Sequence, residues 1–496
     1  MIARHQRRGL AAAAATLAAA TTALTCATSG GVAAATHSSA SRSGVRQHAV
    51  PVPAVPRKVT FLADADAAPG PAAGASSRRF TPPGIQGSYN LPALYRQGLD
   101  GSGKTIAIVD SFGYPQAGAD LKTFSQAYGL PLMCGMPDVD CRPGMATLST
   151  LTFGNHQVKA PPGQSHSPGQ QASNAWSVEV ALDLQYAHTV APGANLLLVA
   201  TPVAETLGVQ GFPSFMNAEQ YVVDHRLADV VTQSFGAAEG SFGSEQSLQN
   251  LRHAFVSGTQ QGITFLASSG DYGSLGLRKQ PVGQGGSQLP TPEVGWPASD
   301  PLVTAVGGTN LCTDVTTGLT VDSVHGPSDC QGANAGERET GWNGSGGGFS
   351  KVFARPGYQD TLPVGSTPIP ASSRGVPDIS MNASCGTYVI VLDTAPGYGG
   401  YYGVCGTSEA SPMFAGIVAI SDQAAGHDLG QINDDVYRLA ADPTTYAADF
   451  FDVTRGDNTQ AGSGVPGFAA GKGWDAVTGL GTPADAVTFV HALAGR

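Results

Sequence analysis

Lys104-Thr105-Ile106-Ala107-Ile108-Val109-Asp110 is a short, nearly continuous apolar run, rich in β-branched residues and closed by a carboxylate. A strand with one solvated face alternates apolar and polar residues. This run does not alternate, so both of its faces must be covered. Runs of the same texture recur at 196–200, 230–234, 263–268 and 302–306, and helical periodicity fills 175–188, 217–225 and 247–260 between them. Strand and helix in alternation predict an α/β fold with a mostly parallel central sheet and helices on both faces. In such sheets chemistry gathers beyond the carboxyl ends of the strands. Asp110 and Asp271 both fall at such ends.

Outward from that run, composition sets bounds. Of 496 residues, 41% are apolar and 13% charged, enough for a large core and too apolar for bulk disorder. The 66 glycines and 34 prolines suit a loop-rich enzyme better than a helical bundle. The formal net charge of −11, without a dense Lys/Arg stripe, argues against nucleic acid or an anionic membrane as partner. Arg4, Arg7 and Arg8 precede an apolar run from Gly9 to Leu24 and then Val32-Ala33-Ala34-Ala35. That order reads as an export signal over 1–35, so the protein is expected to be secreted. Residues 36–79, rich in Ala, Ser, Pro and Gly, read as a flexible leader, with Arg78-Arg79 as a processing point. Residues 80–496 show no composition break and read as one domain. Cys26 leaves with the signal; Cys134, Cys141, Cys312, Cys330, Cys385 and Cys405 remain, an even set that predicts disulfides in an exported chain. Nearest-neighbour pairing is the simplest connectivity.

Three constellations carry chemistry. Gly406-Thr407-Ser408-Glu409-Ala410-Ser411-Pro412 leads into an apolar helical pattern. A serine there lies among the unpaired N–H groups and positive dipole end of a helix, which suit a developing oxyanion. The plainer alternative is that Ser408 caps the helix. Glu179 and Asp183 stand four apart on one helix face. Two carboxyls that close repel unless they share a proton, which makes one of them a base able to work in acid, where histidine is protonated. The plainer alternative is a solvated acidic face. Asp271, in Ser269-Gly270-Asp271 after a strand, is either a turn residue or, protonated, a hydrogen-bond donor to an oxyanion.

The ordered series of these motifs resembles the sedolisin, or serine-carboxyl peptidase, family. The match comprises Glu179-x-x-x-Asp183 with Ala191-Pro192-Gly193-Ala194, Ser269-Gly270-Asp271, Trp296-Pro297-Ala298-Ser299, Gly346-Gly347-Gly348-Phe349-Ser350, Val376-Pro377-Asp378 and Gly406-Thr407-Ser408, and runs from about Phe80 to the C-terminus. The resemblance implies a subtilisin-like fold. It also implies a secreted endopeptidase acting on proteins or peptides, with Ser408 as nucleophile, Glu179 as general base, Asp183 as its orienting partner and Asp271 in the oxyanion hole. It further implies one structural Ca²⁺, held by the carboxylates of Asp452 and Asp475 and the carbonyls of Val453, Gly471 and Gly473. A monomer is expected. The family usually carries a long folded prodomain where this chain has the short leader. Two rivals stand beside this reading. One is a conventional Asp–His–Ser enzyme using Asp110, which lacks the His-Gly-Thr-His context of true subtilisins. The other is a non-catalytic, calcium-stabilised binding protein on the same fold.

Overall fold

The computed structural model describes residues 49–52, 55–61, 79–153, 168–203, 211–278, 287–319, 330, 337–396 and 398–495. The expected export signal over 1–35 and Arg78 of the expected processing point lie outside them.

The opening run forms the centre of the sheet. Strands β1 (Thr105–Ser111), β2 (Leu148–Thr152), β3 (Asn195–Thr201), β4 (Val230–Gln233), β5 (Thr264–Ser268), β6 (Thr304–Leu311), β7 (Glu339–Gly341) and β8 (Ile379–Asn382) join in the order β7-β6-β5-β4-β1-β3-β2, with β8 also on β6. All pairings are parallel except β6 with β7. Successive side chains of β1 enter different cores, Ile106 and Ile108 one and Ala107 and Val109 the other. Leu196 and Leu198 against Leu197 and Val199 on β3 repeat this split. Burial on both faces is why these strands read as unbroken apolar runs.

Helices α1 (Ala117–Tyr128), α2 (Pro168–Val190) and α5 (Thr407–Ala425) pack into the first core; α3 (Phe212–Asp224) and α4 (His253–Thr259) pack into the second. The predicted helix over 247–260 is broken into Glu245–Gln249 and α4. Among the described residues no helix is long and apolar enough to cross a membrane.

Three features differ from expectation or were open. Strand β2 escaped the sequence reading because its Ser and Thr residues break the apolar run, and much of it is exposed at the sheet edge. The leader contains two strands, Ala49–Val52 and Val55–Phe61; the second pairs in parallel with Gly400–Val404, itself antiparallel to Val389–Asp393. The β-branched residues in 55–61 suit strand pairing better than the composition of the whole leader suggests. The disulfides are Cys134–Cys141, Cys312–Cys330 and Cys385–Cys405, the nearest-neighbour set.

Candidate active site

Helix α5 begins at Thr407, so Pro412 lies inside it. Gly406 is the N-cap residue, at φ 135° and ψ 160°, a backbone region that only glycine enters without strain. Gly406 has no side chain with which to cap this helix. Ser408 therefore sits within the first turn, and the capping role does not fall to it. Pro412 has no N–H to donate to the carbonyl four residues back, which is that of Ser408. The Ser234 hydroxyl, just past the end of β4, donates to that carbonyl instead, at 3.4 Å.

The second strand-end loop reaches the same turn. Asp271 Oδ1 accepts from the Thr407 N–H at 2.6 Å and the Thr407 hydroxyl at 2.9 Å, and that hydroxyl accepts from the Gly270 N–H at 3.0 Å. Gly346 N–H donates to Gly270 O at 2.8 Å, so the triple-glycine segment braces the Asp271 loop from outside. Ser408 and Asp271, 137 residues apart in sequence, are thereby held on one short stretch of backbone.

Helix α2 brings the two acidic residues alongside. It packs on α5 so closely that a Cβ on Gly416 would stand 2.7 Å from the Val190 side chain. Asp183 precedes Val190, and Ser408 precedes Gly416, by about two helical turns. Ser234 marks the level: its hydroxyl donates to the Ser408 carbonyl and lies close enough to the Asp183 carboxyl to lower its pKa, without forming a hydrogen bond to it. Asp183 is completely buried and Glu179 partly so, which removes the solvated-face alternative for Asp183. Burial pushes the Asp183 pKa well up, the charges of Asp110 and then Glu179 push it further, and the Ser234 hydroxyl opposes them. Asp110, which the sequence reading placed only in the rival Asp–His–Ser enzyme, joins the cluster. It is fully buried at the end of β1, and burial raises its pKa too. Its titratable neighbour is a carboxyl, Asp183, not a histidine. Ser234 was missed altogether, because a lone serine after a strand carries no signal.

The histidines among the described residues stand elsewhere. His225, His253, His427 and His491 are exposed, and His188 is buried with Nε2 2.8 Å from Pro131 O.

The predicted metal loops come together at the far end of the triple-glycine segment. Asp475 is completely buried; its carboxylate accepts N–H bonds from Gly471, Val477 and Thr478 at 2.8–3.0 Å, and burial still pushes its pKa up to about 7. Asp452 takes the Tyr446 hydroxyl at 3.0 Å and the Gly473 N–H at 3.1 Å. Among the described residues, no hydrogen bond reaches the carbonyls of Val453, Gly471 or Gly473. Two carboxylates and three unclaimed carbonyls form an all-oxygen donor set, the kind that suits Ca²⁺.

Comparison with known proteins identifies the family and the fold. The pattern that defines the Subtilase family matches residues 166–438. Kumamolisin of Bacillus sp. (strain MN-32) is 30% identical over 420 residues, covering 82% of this chain and 63% of that protein. Sedolisin of Pseudomonas sp. (strain 101) is 30% identical over 388 residues, 76% of this chain and 56% of that protein. Human tripeptidyl-peptidase 1 is 32% identical over 342 residues, 64% and 52% respectively. The chain thus spans about half to three-fifths of the length of these relatives. The structure of Pseudomonas sedolisin, a serine-carboxyl proteinase, complexed with two molecules of pseudo-iodotyrostatin superposes with a TM-score of 0.60 at 27% identity, over 84% of this chain and 98% of that one. This chain belongs to the subtilase family, on its sedolisin branch.

Proposed function

We propose that the chain is a secreted serine-carboxyl endopeptidase that hydrolyses proteins or peptides in acid. The observation that carries this reading is the junction at Thr407, where the Asp271 carboxyl is tied to the turn bearing Ser408 beside the buried Asp183. Ser408 Oγ attacks the peptide carbonyl, forming a C–O bond as the carbonyl electron pair moves to oxygen. Glu179 takes the serine proton. Asp183, kept protonated by burial and by two neighbouring carboxyls, donates to Glu179 and orients it. Oδ1 of Asp271 is committed to Thr407, so the proton offered to the oxyanion rides on Oδ2, next to the N–H groups of the α5 first turn. The tetrahedral intermediate collapses, the amine leaves with the proton held by Glu179, and water repeats the cycle on the acyl-enzyme.

Asp452, Asp475 and the carbonyls of Val453, Gly471 and Gly473 would hold a Ca²⁺, which supplies the positive charge that the buried Asp475 lacks. Three disulfides and the signal-like N-terminus support export. The carboxyl beside Asp110 favours this reading over an Asp–His–Ser enzyme. The test is digestion of a denatured protein at pH 3–5 by the wild type and by Ser408→Ala. Cleavage lost in the variant supports the reading; equal results overturn it and favour a binding protein.

A further inference from the structure

Glu409 follows Ser408 directly, and the mechanism above leaves it without a task. It is completely buried. Its Oε1 accepts from Asn382 Nδ2 at 2.7 Å, while Oε2 is buried and meets no hydrogen-bond partner among the described residues. Asn382 is locked: its Oδ1 takes the Leu311 N–H and the Thr387 hydroxyl, its Nδ2 also donates to Thr387 O, and its own N–H donates to the Tyr89 hydroxyl. The same stretch holds the other side of the nucleophile turn. Gly406 N–H donates to Ala383 O at 2.7 Å, and Cys385 is bonded to Cys405. The turn 405–409 is thus tied to 382–385 on both sides of Ser408, and Glu409 is the only one of these ties that titrates.

The groups facing Glu409 offer no counter-charge. Tyr186 on α2 and Tyr89 near the N-terminus are within reach of its charge, and both are buried phenols. Arg338, 5.3 Å from the Tyr89 ring centroid, is paired with Glu339 at 2.9 Å. An ionised carboxylate in this pocket would lose its hydration and gain one amide donor, a poor exchange. The neutral acid fits; the anion forces the pocket to open.

We propose that Glu409 is a positioning residue for the nucleophile, one that holds the Ser408 turn against Asn382 only while its carboxyl is neutral. This rests on Ser408 being the nucleophile. The sign follows from burial, which raises the Glu409 pKa well above its ordinary value. The tie is intact while pH lies below the raised folded-state value and is lost as pH rises through it; its contribution to stability is complete below the ordinary glutamate range and declines above it. Glu409 then contributes an upper pH limit on activity that belongs to none of the catalytic groups.

The experiment compares wild type with Glu409→Gln, which keeps the shape and cannot ionise, in pH profiles of kcat and KM on a peptide substrate and in Tm against pH. The variant is expected to move the upper limb of kcat up by roughly one pH unit, with KM tracking wild type, and to flatten the fall of Tm between acid and neutral pH. An upper limb that stays in place overturns the proposal. If Glu409→Gln does not fold, Glu409→Leu is read the same way, since it also lacks a titrating group. An inert wild type sinks the peptidase reading and this role together; an active wild type with an unmoved limb sinks the role of Glu409 alone.

Discussion

Asp183 and Asp378 are both completely buried, and they have opposite company. Asp378 faces Arg374 at 2.6 Å, accepts the Ala305 N–H at 2.7 Å and takes the Tyr437 hydroxyl at 2.9 Å. Burial raises its pKa and the Arg374 guanidinium pulls it back. Asp183 has two carboxyls for neighbours and one hydroxyl. A buried acid with a cation and a full set of donors is a fastener. A buried acid crowded by like charges stores its proton for use. The difference lies in the partners, since exposure is the same.

Substitutions can break that contrast. The largest expected effect is chemical: Ser408→Ala lowers kcat by about 10⁴-fold or more, and Asp183→Asn lowers it by about 10³-fold, both at little cost in Tm. Asp378→Asn, by contrast, keeps kcat per folded molecule. Assays of kcat with active-site titration check all three; an Asp378→Asn enzyme as dead as Asp183→Asn erases the distinction. Next in size, Arg374→Met strands the Asp378 carboxylate and is expected to cost about 3–5 kcal/mol, read by denaturant unfolding.

A third effect is pH dependence. Because the Asp183 pKa is raised, the folded state holds its proton more tightly than the unfolded chain does. Its contribution to stability is complete below about pH 4 and declines as pH rises toward the folded-state value. Asp183→Asn is therefore expected to lose less Tm between pH 4 and 7 than wild type does. A steeper loss contradicts the assignment of a neutral Asp183.

Much of this contrast was hidden from the sequence, in a particular way. The runs at 104–110 and 196–200 spelled out the sheet because two-sided burial leaves an unbroken apolar signature. Glu179-x-x-x-Asp183, Asp271 and Ser408 were legible through family motifs. Their spacing alone favoured a solvated face, a turn and a cap. What spacing does not encode is the third dimension. Asp110 lies 73 residues from Asp183, and only the sheet brings it beside that carboxyl. Ser234 is an ordinary serine until Pro412 removes the donor that the Ser408 carbonyl would have had. The strands in 49–61 were masked by the surrounding Ala, Ser and Pro.

A smaller effect comes from the oxygen-rich loops. Added Ca²⁺ is expected to raise Tm, by about 2.7 kcal/mol of stability at a hundredfold excess over Kd, and chelation to lower it. Asp475→Asn should abolish that response. A Tm indifferent to Ca²⁺ removes the metal from the reading and leaves Asp475 as a second buried acid without a cation, closer to Asp183 than to Asp378.

The smallest expected effect tests the link between the two halves of the site. Ser234→Ala removes a hydroxyl that acts at two places, on the Ser408 carbonyl, to which it donates, and on the Asp183 carboxyl, whose pKa it lowers. The first acceptor has no replacement, because Pro412 has no N–H, so the α5 first turn loosens by about 1 kcal/mol. The second loses its only opposing influence, so the Asp183 proton is held more firmly still. The first change lowers the rate and the second moves its pH limit: kcat is expected to fall roughly 3–10-fold, with KM little changed and the falling limb of the kcat–pH profile, where Asp183 loses its proton, displaced upward. Ser234→Thr keeps the hydroxyl and should recover most of the rate. If Ser234→Ala lowers Tm and leaves the pH profile where it was, Ser234 is a fastener like the groups around Asp378, and the Asp183 proton is governed by burial and by the charges of Asp110 and Glu179.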